Sequence, residues 1–88
     1  MTWELIRTET FLESLRPLRQ NKEVLSEIQK RLIRLQEDPL HTGGWLSGSL
    51  KGKKSTRISG KYRLIFTPVE SEQKVFLNLI DHRAQVYQ

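Results

Sequence analysis

An α+β fold is predicted by three features of this sequence: a helical hairpin packed on one face of a mostly antiparallel sheet of about four strands. Apolar residues recur at helical intervals from Phe11 to Leu35, which calls for two amphipathic helices. From Thr56 onward they alternate or run continuously, as strands do. A length of 88 residues leaves room for one core only, so residues 1–88 read as a single domain.

Trp3, Leu5 and Ile6 form a short apolar opening before Thr8, which suits a brief first strand. Thr10 and Glu13 have the spacing of a capping box, and Phe11, Leu12, Leu15 and Leu18 follow at helical intervals, so a first helix is expected over residues 10–20, shortened or bent by Pro17. Asn21 caps a second helix whose stripe is Val24, Leu25, Ile28, Leu32 and Leu35, and Asp38-Pro39 stops it, because a residue before proline is pushed out of the helical region. Neither helix can bury its stripe alone, so both need a sheet beneath them.

Residues 40–53 read as an irregular connection with Gly43, Gly44, Gly48 and Gly52 among serines, and with Trp45, Leu46 and Leu50 as anchors or a lid. A tight hairpin follows, from Thr56-Arg57-Ile58 through Ser59-Gly60-Lys61 to Tyr62-Arg63-Leu64-Ile65-Phe66. After a turn at Glu70-Ser71-Glu72, residues 75–80 are apolar enough for a central strand buried on both faces, and Val86-Tyr87 offers a last short pairing.

The formal net charge is +5, and its distribution is uneven. Residues 39–69 hold no Asp or Glu but carry Lys51, Lys53, Lys54, Arg57, Lys61 and Arg63, while the rest of the chain nets −1. Clustered like charges repel one another unless a polyanion or acidic partner neutralises them, so this segment reads as the footprint of a phosphate-binding face, with a solvated charged hairpin as the ordinary alternative. The chain has no cysteine, hence no disulfide framework and no thiolate chemistry. Neither a signal peptide nor a membrane span is expected, and the chain reads as soluble and cytoplasmic.

Arg57 and Arg63 flank the hairpin turn, and with Lys51, Lys53, Lys54 and Lys61 they would form a shallow cationic cleft suited to phosphate. The sheet face that Arg63 takes depends on register, since a one-residue slip reverses it. His82 and Arg83 follow the most apolar strand, with Tyr87 four residues beyond. A histidine moves protons near neutral pH, an arginine stabilises phosphorane charge, and a tyrosine hydrogen-bonds or stacks on a base. In RNA the neighbouring 2′-hydroxyl is the nucleophile, so cleavage requires neither cysteine nor metal, and no cofactor is expected. The same residues also have ordinary readings: His82-Arg83 as a turn pair, Tyr62 and Tyr87 as half-buried sheet aromatics, His41 as a loop residue. Glu4, Glu9 and Asp81 show no metal-ligand spacing.

The stretches "LSGSLKGKKSTRISGKYRLIF" at 46–66 and "LIDHRAQVY" at 79–87, with "DPL" closing the second helix, resemble the RelE/ParE superfamily of type II toxin–antitoxin toxins. The resemblance spans nearly the whole chain. It implies a ribosome-dependent endoribonuclease that cleaves messenger RNA, inhibiting translation, with no membrane role and no small-molecule cofactor. By the same resemblance, Arg63 and Arg83 correspond to the phosphate-stabilising arginines, Tyr87 to a tyrosine that activates the 2′-hydroxyl, and His82 to the place of a general acid. The match of Lys51, Lys53, Lys54 and Arg57 is looser in length and spacing. A cognate antitoxin is the implied protein partner, and messenger RNA on the ribosome the implied target. A DNA gyrase inhibitor of the ParE kind, or a family member that only binds its antitoxin, are the alternatives.

Overall fold

The computed structural model describes residues 2–82. Strand β1 (Glu4–Arg7) leads into helices α1 (Glu9–Leu15) and α2 (Lys22–Glu37), followed by β2 (Gly44–Trp45), β3 (Lys54–Ile58), β4 (Tyr62–Val69) and β5 (Lys74–Asp81). The five strands form one sheet in the order β1-β5-β4-β3-β2, in which β1 runs parallel to β5 and every other pair is antiparallel.

Helix starts and stops are set locally. Thr8 caps α1 from an extended backbone (φ −75°, ψ 162°). Its hydroxyl accepts the Phe11 N–H at 3.2 Å and donates to the Leu77 carbonyl at 2.7 Å. The expected cap, Thr10, instead lies inside the helix, because Thr8 is the residue that also reaches the sheet. The helix gives way at Pro17 to a 3-10 turn, Arg16–Leu18. Asn21 caps α2 as expected, its side chain accepting the Val24 N–H at 3.2 Å, and Asp38 (ψ 70°) breaks the helix before Pro39.

Both helices lie on one face of the sheet. Phe11, Leu18, Val24, Ile28 and Leu35 pack against Ile58, Leu64, Phe66, Val75, Leu77 and Ile80, all buried. Each such side chain contributes about 1.5–3 kcal/mol on leaving water. The Trp3 N–H donates to the Gln36 carbonyl at 2.8 Å, tying the start of the chain to the end of α2.

Two expectations about the sheet need correction. There are five strands rather than about four, because Gly44–Trp45, inside the segment read as irregular, pairs with β3 at the sheet edge. Gly43 permits this pairing: its φ is +72°, and a side chain there would collide with the Ser55 carbonyl. Second, β5 is buried on one face only; Val75, Leu77 and Ile80 are inside, whereas Phe76, Asn78 and Leu79 are half-buried. The strand is interior to the sheet as expected, lying between β4 and β1. The Val86-Tyr87 pairing lies outside the described residues.

A bulge in β5 decides which side chains face the helices. Ile65 pairs with Leu79 and Phe66 with Leu77, leaving Asn78 as the extra residue. Strict alternation from Leu77 would carry Leu79 and Asp81 to the helix face. With the bulge, Ile80 enters the core while Asp81 joins Leu79 on the open face, directly across from Arg63. No helix among the described residues is long and apolar enough to cross a membrane.

Candidate nucleic-acid interface

The hairpin register is Lys54↔Phe66, Thr56↔Leu64, Arg57↔Arg63 and Ile58↔Tyr62, closed by residues 59–61, where Ser59 and Gly60 take positive φ (52° and 76°). Leu64 and Phe66 point into the core, so Arg63, Ile65 and Thr67 point to the face without helices. This settles the register question for Arg63. It stands opposite Arg57 on one side and Asp81 on the other, at the centre of the open face.

There Arg63 sits in a depression of about 220 Å³, lined by Leu50, Lys53, Ile65, Asn78, Leu79 and Asp81. Its Nη2 donates to Asp81 Oδ2 at 3.3 Å, with the two side chains only 15% and 12% exposed. Its lining joins apolar Leu50, Ile65 and Leu79 to charged Lys53, Arg63 and Asp81. A guanidinium held above apolar surface and partly withdrawn from water attracts phosphate more strongly than one in bulk solvent. Arg57 is exposed, its Nη1 donating to the Gly60 carbonyl at 3.2 Å. Like charges opposed on neighbouring strands disfavour pairing; Asp81 offsets one of them, and a bound anion would offset both.

The remaining candidates divide. Lys53, half-buried, lines the depression, and its backbone is fixed by the turn in which its N–H donates to the Leu50 carbonyl at 3.0 Å. Lys51 and Lys61 are exposed, in the turns before β3 and between β3 and β4. Lys54 does not belong to this face. It is 1% exposed on the helix side, its Nζ donating to the carbonyls of Leu40 at 2.6 Å and Pro39 at 3.2 Å. Burial holds its pKa below the usual lysine value, and nearby Asp38 partly offsets that effect.

His82 is also turned away from Arg63. One residue past Asp81, its Nε2 lies 3.1 Å from the Ser14 carbonyl at the end of α1, and its ring meets Tyr62 edge-on at 5.2 Å. Tyr62 itself packs against the helix-side core, so this histidine acts as a clamp between sheet and helix rather than a neighbour of the Arg63 guanidinium. Arg83 and Tyr87 lie outside the described residues.

Asp81, Asn78 and Leu50 were not among the expected site residues. The place of Asp81 opposite Arg63 follows from the bulge, which leaves no mark in the apolar pattern. Thr67 Oγ1 donates to Asn78 Oδ1 at 2.7 Å, fixing the bulged residue against β4.

No family model matches the chain, and no curated protein matches it. Solved structures do. The chain is similar to one in the RelBE2 toxin–antitoxin complex from Mycobacterium tuberculosis, with 26% identity and a TM-score of 0.80 over 94% of this chain and 100% of that one. It also shares its fold with the YoeB/ParE toxin from Agrobacterium tumefaciens (18% identity, TM-score 0.79, 91% of this chain and 98% of that one). A mutant of the E. coli toxin RelE in the free state matches at 22% identity and TM-score 0.76, over 99% of this chain and 88% of that one. The strand order and the helix pair thus form the fold of the RelE-like toxins, and the likeness to the RelBE2 chain supports a member of that superfamily.

Proposed function

We propose that this protein is the toxin of a toxin–antitoxin pair and an endoribonuclease that cuts messenger RNA on the ribosome, acting in the cytoplasm. The observation that carries the reading is Arg63: a recessed guanidinium on the sheet face that carries no helix among the described residues, with Lys53 beside it and Arg57 across from it. In the reaction, the 2′-hydroxyl of one nucleotide attacks its own 3′-phosphate. The P–O5′ bond breaks, leaving a 2′,3′-cyclic phosphate and a free 5′-hydroxyl, with the proton of the attacking hydroxyl balanced by one delivered to the leaving oxygen. In this reading Arg63 neutralises charge that builds on the non-bridging oxygens, while Lys53 and Arg57 hold the neighbouring phosphates. Arg83 and Tyr87 are the proposed second phosphate ligand and hydroxyl-activating group, on the resemblance of "DHR" and "VY" alone.

The proposed partner is a cognate antitoxin whose segment covers the basic face. Three of the similar solved structures are toxin–antitoxin complexes, RelBE2, the intact E. coli RelBE and the E. coli DinJ-YafQ complex, which supports such a partner here. The test is a cell-free translation reaction with a defined messenger, its RNA ends mapped by primer extension. New 5′ ends inside translated codons, dependent on ribosomes and lost in Arg63→Ala, are expected; an intact messenger with folded wild-type protein would contradict the reading.

A further inference from the structure

Asn78, the residue that the bulge adds to β5, puts an amide beside Leu50, Ile65 and Leu79 in the depression that holds Arg63. A half-buried amide costs stability unless its polar atoms are used. One of them is, because Thr67 on the neighbouring strand donates its hydroxyl to Oδ1 at 2.7 Å. That bond fixes which way the amide faces. With Oδ1 engaged, what the side chain offers a ligand is Nδ2, which carries two N–H donors and no acceptor.

The Arg63 guanidinium lies at the other end of the depression, where its Nη2 meets Asp81. Asn78 is three residues back along β5 from Asp81, roughly 10 Å at the spacing of a strand, and so beyond hydrogen-bond reach of a phosphate bound by Arg63. The base of an adjoining nucleotide fits that place. Leu50, Ile65 and Leu79 offer apolar contact to its faces, while the amide meets its edge, which is how unpaired bases of RNA are commonly recognised.

We infer that Asn78 is a specificity-determining residue of the proposed cleavage, favouring G or U over A or C at one nucleotide beside the phosphate held by Arg63. The inference rests on the proposed RNA activity and adds a base subsite to it. Guanine and uracil carry a keto oxygen where adenine and cytosine carry an amino group. A donor-only amide hydrogen-bonds the oxygen, whereas against the amino group donor faces donor. One such bond gained or lost corresponds to a preference of about two- to twelvefold.

The test maps cut sites by primer extension in cell-free translation, on messengers in which every base occurs at each codon position. Wild type is expected to show that enrichment of G and U at one fixed offset from the cut. Asn78→Asp keeps the shape of the side chain and an acceptor for Thr67 but replaces the donor with a carboxylate, so the preference should move to A or C at the same offset, whatever the overall rate. Thr67→Val releases the amide to present either end and should flatten the preference. Thermal unfolding checks that each variant is folded. No base preference near the wild-type cut, or an unchanged preference in folded Asn78→Asp, would overturn the inference and leave the proposed activity standing. Should Asn78→Asp not melt cooperatively, an unchanged preference in Thr67→Val would overturn it instead. A messenger left uncut by wild type would contradict the activity itself, and the base subsite with it.

Discussion

Lys54 and Arg63 belong to the same hairpin and to the same acid-free stretch of sequence, yet the sheet sends them to opposite faces with opposite consequences. Lys54 is sealed on the helix side, its ammonium engaged by two carbonyls and an indole. Arg63 lies on the open side, its Nη2 donating to Asp81 in a depression lined by Lys53, Ile65 and Leu79. The difference teaches that a run of positive charge is not one functional unit. Alternation along a strand sorts it, and here it turns one cation into a structural tie and the other into a candidate phosphate ligand.

If that division holds, perturbing the two faces should separate stability from activity. The largest stability effect is expected on the helix face at Phe11, which is fully buried at the centre of the core. Phe11→Ala should cost about 3–5 kcal/mol in urea unfolding, enough to unfold much of the population in a domain this small. Next comes Lys54→Met, which keeps the length of the side chain but strips the Leu40 and Pro39 carbonyls of their donor. A loss of about 1–3 kcal/mol is expected by the same measurement.

A pH series sharpens the Lys54 side of the comparison. Its folded pKa is lowered by burial from the ordinary 10.5, so the unfolded chain binds this proton more tightly than the folded protein does. Lys54 therefore contributes stability that is present above pH 10.5 and lost as pH falls through its lowered folded value. The stability of wild type relative to Lys54→Met should rise with pH over the alkaline range ending near 10.5; a flat difference would show that burial does not shift the group. The smallest stability effect is expected at Arg57, whose side chain is exposed and donates to the Gly60 carbonyl. Arg57→Ala should stay within about 0.5 kcal/mol of wild type, yet flatten the salt dependence of RNA binding by roughly one phosphate contact.

Much of this fold is legible in the sequence because its signals are local. Asn21 and Asp38-Pro39 bound α2 by backbone rules that need no tertiary context, and the Ser59-Gly60 turn sets the hairpin. The features that escape sequence reasoning depend on distant neighbours. Thr8 outcompetes Thr10 as cap because its hydroxyl also meets the Leu77 carbonyl. Strand β2 exists because Gly43 lets the backbone approach Ser55. The candidate site shows the same split. Arg63, Lys53 and Arg57 were legible from charge and hairpin position, whereas the pairing of Asp81 with Arg63 and the turning of His82 toward Ser14 follow from a bulge at Asn78 that periodicity does not reveal.

The most direct test of the account takes Arg63→Ala through two readings on the same preparation: thermal unfolding, and mapped cleavage of a translated messenger. A protein that melts cooperatively near wild type, with cleavage reduced by about a hundred- to a thousandfold, is expected from the loss of one charge-stabilising donor. Cleavage at the wild-type rate by that folded variant would contradict the assignment of the open face as the catalytic surface.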